Sequence, residues 1–325
     1  MTKVLMVGHG AFAEKHMDGI KNIPGVEVVS ICGRREDATK AAAEKRGIKH
    51  WGTDLGTCLK QDIDAVIITS ATQVHAAQTI QCLQAGKHVQ VEIPMADTAA
   101  DSRAILAAQQ EANSGGKNGG KKLIAMAGHT RRFNPSHQWI HKKIKAGELK
   151  VLQMDVQTYF FRRTNLNAAG AARSWTDHLL WHHACHTVDL FSYQTGEPVK
   201  YCHALEGPHH PELKIAMDMS IGMKTASGAI CTLSLSFNND GPLGTFFRYI
   251  CDNGTYLARY DDLFDGKENK IDVSTVDVSM NGIELQDREF FAAIKEGREP
   301  NASIAQCLPA METLDKLEQS LNRSK

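Results

Sequence analysis

Several features that mark specialised classes of protein are missing from this sequence of 325 residues. Lysine and arginine number 37 and aspartate and glutamate number 37, so bulk charge predicts neither a nucleic-acid nor a membrane-surface partner. No apolar run reaches the roughly 20 residues of a membrane span. The first apolar run ends at Gly8, too early for the core of a signal peptide.

The eight cysteines are scattered, and none forms the Cys-x-x-Cys spacing of a metal or redox motif. Several fall in predicted core elements, so we expect reduced thiols and a cytoplasmic protein. A chain of this length can bury two cores of ordinary size, which predicts two domains.

The beginning of the sequence has the pattern of a dinucleotide-binding turn. An apolar run, Val4 to Val7, leads into Gly-x-Gly-x-x-Ala, and a helical pattern follows, formed by Phe12, His16 and Ile20. Gly8 permits a tight turn, Gly10 lets the backbone approach a pyrophosphate, and Ala13 lets the helix pack on the strand. The helix N-terminus offers N–H groups to the phosphates. The predicted cofactor contacts here are Gly8, Gly10, Ala11, Phe12 and Ala13.

The end of the second predicted strand bears on which dinucleotide binds. A strand built for NAD usually ends in Asp or Glu, which bonds the ribose hydroxyls. This one, Val26–Cys32, is followed by Gly33, Arg34 and Arg35. Glycine leaves space and two guanidinium groups suit a 2′-phosphate, so we predict NADP, with NAD also accepted. The alternative is a solvated basic pair that opens the next helix.

Residues 1–127 alternate strand and helix patterns, which predicts parallel βαβ units and a Rossmann domain. The predicted strands are Val4–Val7, Val26–Cys32, Ala65–Thr69, His88–Val91 and Leu123–Ala127. The predicted helices are Ala11–Lys21, Glu36–Arg46, His75–Ala85 and Ala99–Asn113. Residues Ser114–Gly120 form a predicted surface insertion to which we assign no function.

Residues 128–325 are predicted to form a second α/β domain with a large, open, mainly antiparallel sheet, because strand patterns follow one another with short turns. The expected strands are Gln153–Arg162, Tyr201–Glu206, Ala216–Met223, Ala229–Asn238, Thr245–Cys251 and Gly254–Tyr260. The expected helices are Trp175–Gln194, Ile283–Glu296 and Ser303–Asn322. We expect the C-terminal helix to pack back on the first domain, and the open sheet to form a homodimer or homotetramer.

Three ordered motifs resemble the glucose–fructose oxidoreductase/inositol dehydrogenase family: the N-terminal turn, residues 65–98, and Gly-His-Thr-Arg-Arg-Phe-Asn-Pro at 128–135. The resemblance spans nearly the whole chain. It implies that the nicotinamide lies between the domains, at the carboxyl ends of the parallel strands. The residues that it places near the nicotinamide are Thr69, Ser70, Thr72, His75, Glu92 and Pro94.

Two departures from the family pattern concern the substrate. The family usually has Glu-Lys-Pro, with a lysine that binds or deprotonates a sugar hydroxyl, but this chain has Ile93 there. The family also places Asp four residues before a His, and here those positions hold His182 and His186. The substrate is therefore not expected to be an ordinary polyol.

A histidine-rich segment replaces the missing groups. His178, His182 and His186 are spaced by four residues, which puts them on one face of the predicted helix. A histidine can take a hydroxyl proton while hydride leaves the same carbon, so His182 or His186 is the predicted base, with Asp189 orienting His186. Alternatively, one of these histidines is a hydrogen-bonded core residue. His182 and His186 also have the spacing of zinc ligands, but no helix-borne Glu completes such a motif, so we predict no metal.

Cations flank the same segments, and guanidinium groups match carboxylates. A di- or tricarboxylate therefore suits this chain better than a neutral sugar does. The alternative is a purely structural role, in which half of these cations form ion pairs within the protein. The predicted substrate contacts are His129, Arg131, Arg163, Arg173, Asp177 and His178.

Longer segments, among them Tyr-Phe-Phe-Arg-Arg-Thr-Asn at 159–165 and residues 236–249, resemble the members of that family that degrade aromatic compounds. This resemblance implies a carboxylated substrate that closes to a cyclic hemiacetal and is oxidised with NADP to a lactone. No cysteine has an obvious nucleophile setting, which fits a hemiacetal better than a free aldehyde. The alternatives are a sugar or inositol dehydrogenase of the same fold and a non-catalytic NADP-binding sensor.

Overall fold

The computed structural model describes residues 1–114, 122–166, 170, 172, 176–278 and 282–323. The chain divides into two compact units, Met1–Thr130 with Ser279–Leu308 and Arg131–Val278 with Pro309–Lys325. The first boundary therefore lies at residue 130 rather than at 127. Residues 279–308, which we assigned to the second domain, belong to the first unit.

The helices and strands alternate along the first part of the chain as predicted. The strands are β1 (Thr2–Val7), β2 (Val26–Cys32), β3 (His50–Gly52), β4 (Ala65–Ile68), β5 (His88–Val91), β6 (Ala125–Ala127), β7 (Val151–Tyr159), β8 (Val199–Glu206), β9 (Asp218–Thr225), β10 (Ile230–Ser236), β11 (Gly244–Cys251), β12 (Gly254–Arg259), β13 (Asp262–Asp265) and β14 (Lys270–Ile271). The α-helices are α1 (Ala11–Ile20), α2 (Glu36–Arg46), α3 (Leu55–Cys58), α4 (His75–Gln84), α5 (Ala99–Asn113), α6 (Pro135–Lys145), α7 (Cys185–Thr195), α8 (Gly282–Glu296) and α9 (Ile304–Arg323).

The first unit contains a six-stranded parallel sheet in the order β3-β2-β1-β4-β5-β6. Strands β4 and β5 are fully buried, and β4 is entirely apolar, as expected where helices cover both faces of a parallel sheet. The chain order reverses between β1 and β4, so the loops after these strands open a crevice at the carboxyl edge, where this fold binds ligands. The predicted Rossmann fold is confirmed.

Helix α8 packs against α1 in the first unit. The helices approach closely at Gly19, where an added Cβ would lie 3.2 Å from the Cα atom of Glu284. On α8 the Glu284 carboxylate accepts a hydrogen bond from the Asn22 amide at 2.8 Å. The predicted helix is correct, but its partner depends on contacts between residues more than 260 positions apart, which a local pattern does not contain.

The second unit contains an eight-stranded sheet in the order β14-β13-β12-β11-β7-β10-β9-β8. Neighbouring strands pair antiparallel, except that β7 and β10 run parallel. One face is buried by residues such as Val156, Leu233 and Ile221, which alternate with exposed positions along their strands. The predicted large, mainly antiparallel sheet is confirmed.

The predicted helix Trp175–Gln194 is wrong in its first part. Trp175 lies outside the described residues, and residues 176–178 are not helical. A π-helical turn covers Leu179–Ala184, and only then does α7 begin at Cys185. Because the π turn is wider than an α turn, spacing by four no longer places side chains on one face.

Helix α6 was missed, although Pro135 occupies its first turn as proline often does. Its buried face includes Ser136 and His137, so the apolar spacing that reveals a helix is weak there. Within the described ranges, no helix is both long and apolar enough to cross a membrane. Apart from Ser114, the predicted insertion lies outside the residues that the structure describes.

Candidate active site

The loop between β1 and α1 has the geometry of a phosphate-binding turn. Gly8 has a φ of +106°, and an added Cβ would lie 2.6 Å from Thr69 Oγ1. At Gly10 an added Cβ would meet no atom of the described residues within 4 Å beyond its chain neighbours, so the missing side chain leaves open space. Helix α1 then begins at Ala11 with no side-chain cap, and the first N–H groups of a helix have no partner within the helix. This cradle fits the pyrophosphate of a dinucleotide.

The side chains on the first turn of α1 point in different directions. Ala13 is fully buried, which allows the close packing that we predicted. Phe12 is 51% exposed and does not belong to the buried face with His16 and Ile20. The predicted helical pattern was therefore correct at two of its three positions.

The basic pair after β2 is exposed at the carboxyl edge of the sheet. Arg34 forms no ion pair with any described residue, and Arg35 precedes α2 with Asp37 at 3.6 Å. Gly33 does not leave the space that we expected, because an added Cβ would lie 2.3 Å from Thr39 Oγ1 and 2.7 Å from the His9 ring. The glycine is needed for packing, and the guanidinium groups remain available to an anion.

The loops after β4 and β5 bring the other predicted cofactor residues to the same edge. Thr69 donates to the Val7 carbonyl at 3.0 Å, and Ser70 donates to Gln78 at 2.6 Å. Thr72 is buried in a 3-10 turn. The buried His75 has Nδ1 at 2.9 Å from the Pro94 carbonyl and Nε2 at 3.0 Å from the Ser70 carbonyl. His75 therefore ties two loops together instead of presenting its ring to a ligand.

Two predicted histidines lie side by side in the second unit. The His178 N–H donates to His182 Nδ1 at 3.3 Å, and the two rings meet edge to face at 5.0 Å. A neutral ring that accepts at Nδ1 carries its proton on Nε2. Burial, reinforced by nearby His183, lowers the pKa of His178. The side chains of His178 and His182 are half-buried, as is that of His186 one turn further on.

Three ionisable side chains before and within the π turn form a cluster that the sequence did not reveal. Arg162 binds both carboxylate oxygens of Asp177, and His183 Nε2 lies 3.1 Å from Asp177 Oδ2. Burial opposes ionisation of Asp177, but His183 and Arg162 hold the pKa of its carboxyl well below the usual range. The ring of Phe237 lies against both the Arg162 guanidinium and the His183 ring. Asp177, predicted to contact the substrate, instead orients these two side chains.

Asp189 was predicted to orient His186, but its carboxylate accepts two hydrogen bonds from Arg132, at 2.7 and 2.6 Å. Both side chains are almost fully buried. The Arg132 guanidinium also stacks on the Tyr193 ring at 4.5 Å. This pair connects α7 to the turn before α6. The alternative interpretation, in which some of these cations form structural ion pairs, therefore describes Arg132.

The remaining predicted substrate residues are scattered. Arg131 lies over the Tyr260 ring at 4.9 Å and donates to Asn134 at 3.3 Å. Arg163 is exposed and stacks on Phe161 at 4.2 Å. His129 is buried in the first unit rather than the second. Arg173 lies outside the described residues.

Sequence reasoning also missed a buried polar cluster in the first unit, formed by His16, Glu92 and Asp287. Only one indication of it exists in the sequence, a histidine on the inward face of α1. A charged residue at an apolar position is unusual unless it is paired, so that position could have prompted a search for partners.

Comparison with known proteins identifies the family. Residues 2–114 match the model described as "Oxidoreductase family, NAD-binding Rossmann fold" (GFO_IDH_MocA), and residues 135–277 match "Bacterial oxidoreductases, C-terminal". A protein of Sphingobium sp. named 4-carboxy-2-hydroxymuconate-6-semialdehyde dehydrogenase is 63% identical over 322 residues, 99% of each chain. The chain belongs to the GFO/IDH/MocA oxidoreductase family. This member is thus an NAD(P)-dependent oxidoreductase, as predicted.

More distant family members share the fold. An inositol 2-dehydrogenase of Salmonella typhimurium is 27% identical over 201 residues, 61% of this chain and 56% of that protein. Levoglucosan dehydrogenase in complex with NADH superposes with a TM-score of 0.84 at 19% identity, covering 99% of this chain and 97% of that one. A scyllo-inositol dehydrogenase of Lactobacillus casei with bound NAD(H) gives 0.81 at 16% identity, covering 100% and 98%. At this identity the likeness concerns the fold alone.

Proposed function

We propose that this oxidoreductase oxidises the cyclic hemiacetal of 4-carboxy-2-hydroxymuconate-6-semialdehyde to 2-pyrone-4,6-dicarboxylate, in the degradation of protocatechuate by 4,5-cleavage. The observation that carries the proposal is the 63% identity to the Sphingobium dehydrogenase, which extends over 99% of both chains. Ile93 and His182, which stand where sugar dehydrogenases of the family have Lys and Asp, support a substrate other than a polyol.

The cofactor proposed for this reaction is NADP. When bound, its nicotinamide accepts the hydride. The open cradle at Gly10 and the N-terminus of α1 would hold the pyrophosphate, and the exposed Arg34 and Arg35 would hold the 2′-phosphate. The preference for NADP over NAD rests on this arginine pair.

The second unit is proposed to supply the base and the groups that bind carboxylates. His182 accepts a hydrogen bond at Nδ1, so its Nε2 is a donor in the neutral ring, and we therefore assign the base to His186. The base would remove the hydroxyl proton of the hemiacetal while hydride leaves the carbon that bears this hydroxyl. The C–O bond then becomes the carbonyl of the lactone. Arg131 and Arg163 are proposed to bind the carboxylates, and positioning rather than covalent catalysis would supply the rate.

The open sheet is proposed to join copies of this chain into a dimer or tetramer. Tyr201 and Leu205 on β8 are 60% and 61% exposed and are separated by four residues, so they lie on one face of the edge strand. Large apolar side chains grouped on a sheet face favour a protein partner.

The test is absorbance at 340 nm with freshly ring-cleaved protocatechuate and either NADP or NAD. We expect rapid reduction of the dinucleotide, faster with NADP, and formation of the pyrone dicarboxylate. A polyol such as myo-inositol serves as the control substrate and should not be turned over. Turnover of the polyol alone would favour a sugar or inositol dehydrogenase, and cofactor binding without any turnover would favour a sensor.

A further inference from the structure

The proposed reaction leaves unused a cluster of three ionisable side chains in the first unit. His16 comes from α1, Asp287 from α8, and Glu92 follows β5. His16 Nδ1 lies 2.9 and 3.0 Å from the two oxygens of Asp287, and Nε2 lies 3.1 Å from Glu92 Oε1. The side chains of His16 and Asp287 are fully buried, and that of Glu92 is 11% exposed.

The geometry determines the charge of the His16 ring. A neutral imidazole has a single N–H, but both ring nitrogens here face a carboxylate oxygen. When both carboxyls are ionised, both ring nitrogens must donate, and His16 is then an imidazolium between two carboxylates. Burial alone would lower its pKa, but the charges and hydrogen bonds of Asp287 and Glu92 outweigh burial and raise the pKa of His16 to about 10.

Neutral groups hold the carboxylates in place. The Gln90 amide donates to Asp287 Oδ1 at 2.6 Å, and the Gln286 amide donates to Glu92 Oε1 at 3.2 Å. At Gly128 an added Cβ would lie 2.5 Å from Glu92 Oε1, so the backbone closes the other side. Nearby on α8, Glu284 pairs with Arg288, and Glu289 pairs with Arg298. With His16 protonated and both carboxyls ionised, the cluster carries a net charge of −1.

Only one oxygen of Glu92 is engaged by this network. Oε1 accepts from His16 and Gln286, whereas Oε2 accepts no hydrogen bond from any residue that the structure describes. Glu92 stands at the carboxyl end of β5, and its N–H donates to the Ile68 carbonyl at the end of β4. This edge of a Rossmann sheet is where the dinucleotide binds.

We propose that His16 and Asp287 are positioning residues that hold Glu92 as a fixed anion beside the nicotinamide, so that oxidised cofactor binds in preference to reduced cofactor. The nicotinamide ring is a cation when oxidised and neutral when reduced, so a fixed negative charge beside it stabilises the oxidised form selectively. The inference rests on the nicotinamide part of the proposed function and not on the substrate.

The test compares the dissociation constants of NADP⁺ and NADPH, measured by titration calorimetry without substrate. Glu92→Gln removes the charge but keeps an oxygen that accepts from His16 and Gln286. We expect the preference for the oxidised form to fall about 10-fold, mainly through weaker NADP⁺ binding.

The pH dependence separates positioning from simple structural support. In the wild type the preference should stay constant from about pH 6 to about pH 9, because His16 stays protonated. In His16→Gln, the carboxyls of Glu92 and Asp287 face each other without a cation between them, so the pair holds a proton more readily and the preference for NADP⁺ falls as the pH decreases. Asp287→Asn keeps the shape but leaves His16 one carboxylate, so His16 deprotonates within this range and the preference rises with pH.

His88→Gln is the matched control, since His88 is also a buried histidine but begins β5, at the far end of the strand. The preference of His88→Gln for NADP⁺ over NADPH should equal that of the wild type at every pH. The inference would be overturned if Glu92→Gln lost affinity equally for NADP⁺ and NADPH. It would also be overturned if the preference for NADP⁺ did not change with pH in His16→Gln or in Asp287→Asn. A wild type that binds neither dinucleotide would overturn it together with the cofactor assignment, whereas binding without hemiacetal turnover would count only against the proposed substrate.

Discussion

Arg34, Arg132 and Arg162 differ in whether a carboxylate of the protein already neutralises them, a difference that the sequence does not show. Arg132 and Arg162 are each neutralised by a partner, Asp189 and Asp177, through two hydrogen bonds. Arg34 has no such partner among the described residues. A bound anion gains most from a cation that the protein has not already neutralised, so the exposed pair after β2 is the better candidate for a phosphate.

Replacing both Arg34 and Arg35 with Ala should weaken NADP binding about 100-fold, because two charge-assisted hydrogen bonds to the 2′-phosphate are lost. NAD has no such phosphate, and its affinity should change less than about 3-fold. Titration of each variant with both dinucleotides measures this difference. Lys40→Ala, which removes an exposed cation from the neighbouring helix, is the control. Equal losses for NADP and NAD would refute the assignment of the pair to the 2′-phosphate.

At the scale of single elements, the π turn at Leu179–Ala184 changes how the histidine-rich segment works. Residues 176–178 are not helical and the backbone of His178 is extended, so His178 contacts His182 through its backbone N–H instead of lying above it on a helix. The turn also lets His183 reach Asp177. The histidines therefore differ in role, although their spacing in the sequence is uniform.

His186→Ala should lower kcat by a factor of about 100 to 10,000, as expected for loss of a general base, while NADP binding stays intact. His182→Ala should act mainly on KM, because in the proposed reaction its Nε2 donates a hydrogen bond to the substrate. Steady-state kinetics with the proposed hemiacetal substrate tests both, with the exposed His209→Ala as control. Near-full turnover in both variants would show that this segment does not provide the base.

Helix α6 contributes a second testable property through His141. The His141 ring stacks on Tyr193 at 3.8 Å and lies 3.2 Å from Gln194. Burial, assisted by Lys145 and Arg132, lowers the pKa of His141 from 6.5 to about 4. The folded protein therefore binds fewer protons at His141 than the unfolded chain does between these values. Its contribution to stability is complete above pH 6.5 and is lost as the pH falls towards 4.

Thermal unfolding measured at intervals between pH 6.5 and about 4 should show that the Tm of the wild type decreases as the pH decreases. His141→Gln should have a shallower dependence, because a glutamine has no proton to gain. A variant at an exposed histidine, His50→Gln, should retain the wild-type slope. An unchanged slope in His141→Gln would mean that other groups cause the acid sensitivity.

For the whole molecule, the open sheet leads to a prediction about assembly. Size-exclusion chromatography with light scattering should give a dimer or a tetramer. Tyr201→Asp with Leu205→Asp should give a smaller species, because the buried apolar contact would be replaced by like charges on both copies. Leu243→Asp, an exposed apolar residue outside the strands, is the control. A monomeric wild type, or an unchanged mass in the double variant, would contradict the proposed interface.

The sequence by itself determined the elements whose patterns are local. The longer strands and helices of residues 1–114 and the strands β7 to β12 of the second sheet follow from periodicity over fewer than about 20 residues, and the glycines of the phosphate turn form a local motif. The short elements β3, α3, β13 and β14 were not predicted. The family motifs are likewise continuous segments. For these features, each residue's neighbours along the chain contain the information that is needed.

Tertiary structure alone decided which residues meet. The return of 279–308 to the first unit, the parallel pairing of β7 with β10, and the cluster of His16, Glu92 and Asp287 join positions far apart in the chain. The ion pairs Arg132–Asp189 and Arg162–Asp177 depend in the same way on packing. Charge and hydrogen bonding act over a few ångströms in space, so a sequence names the groups but only the fold brings them within reach.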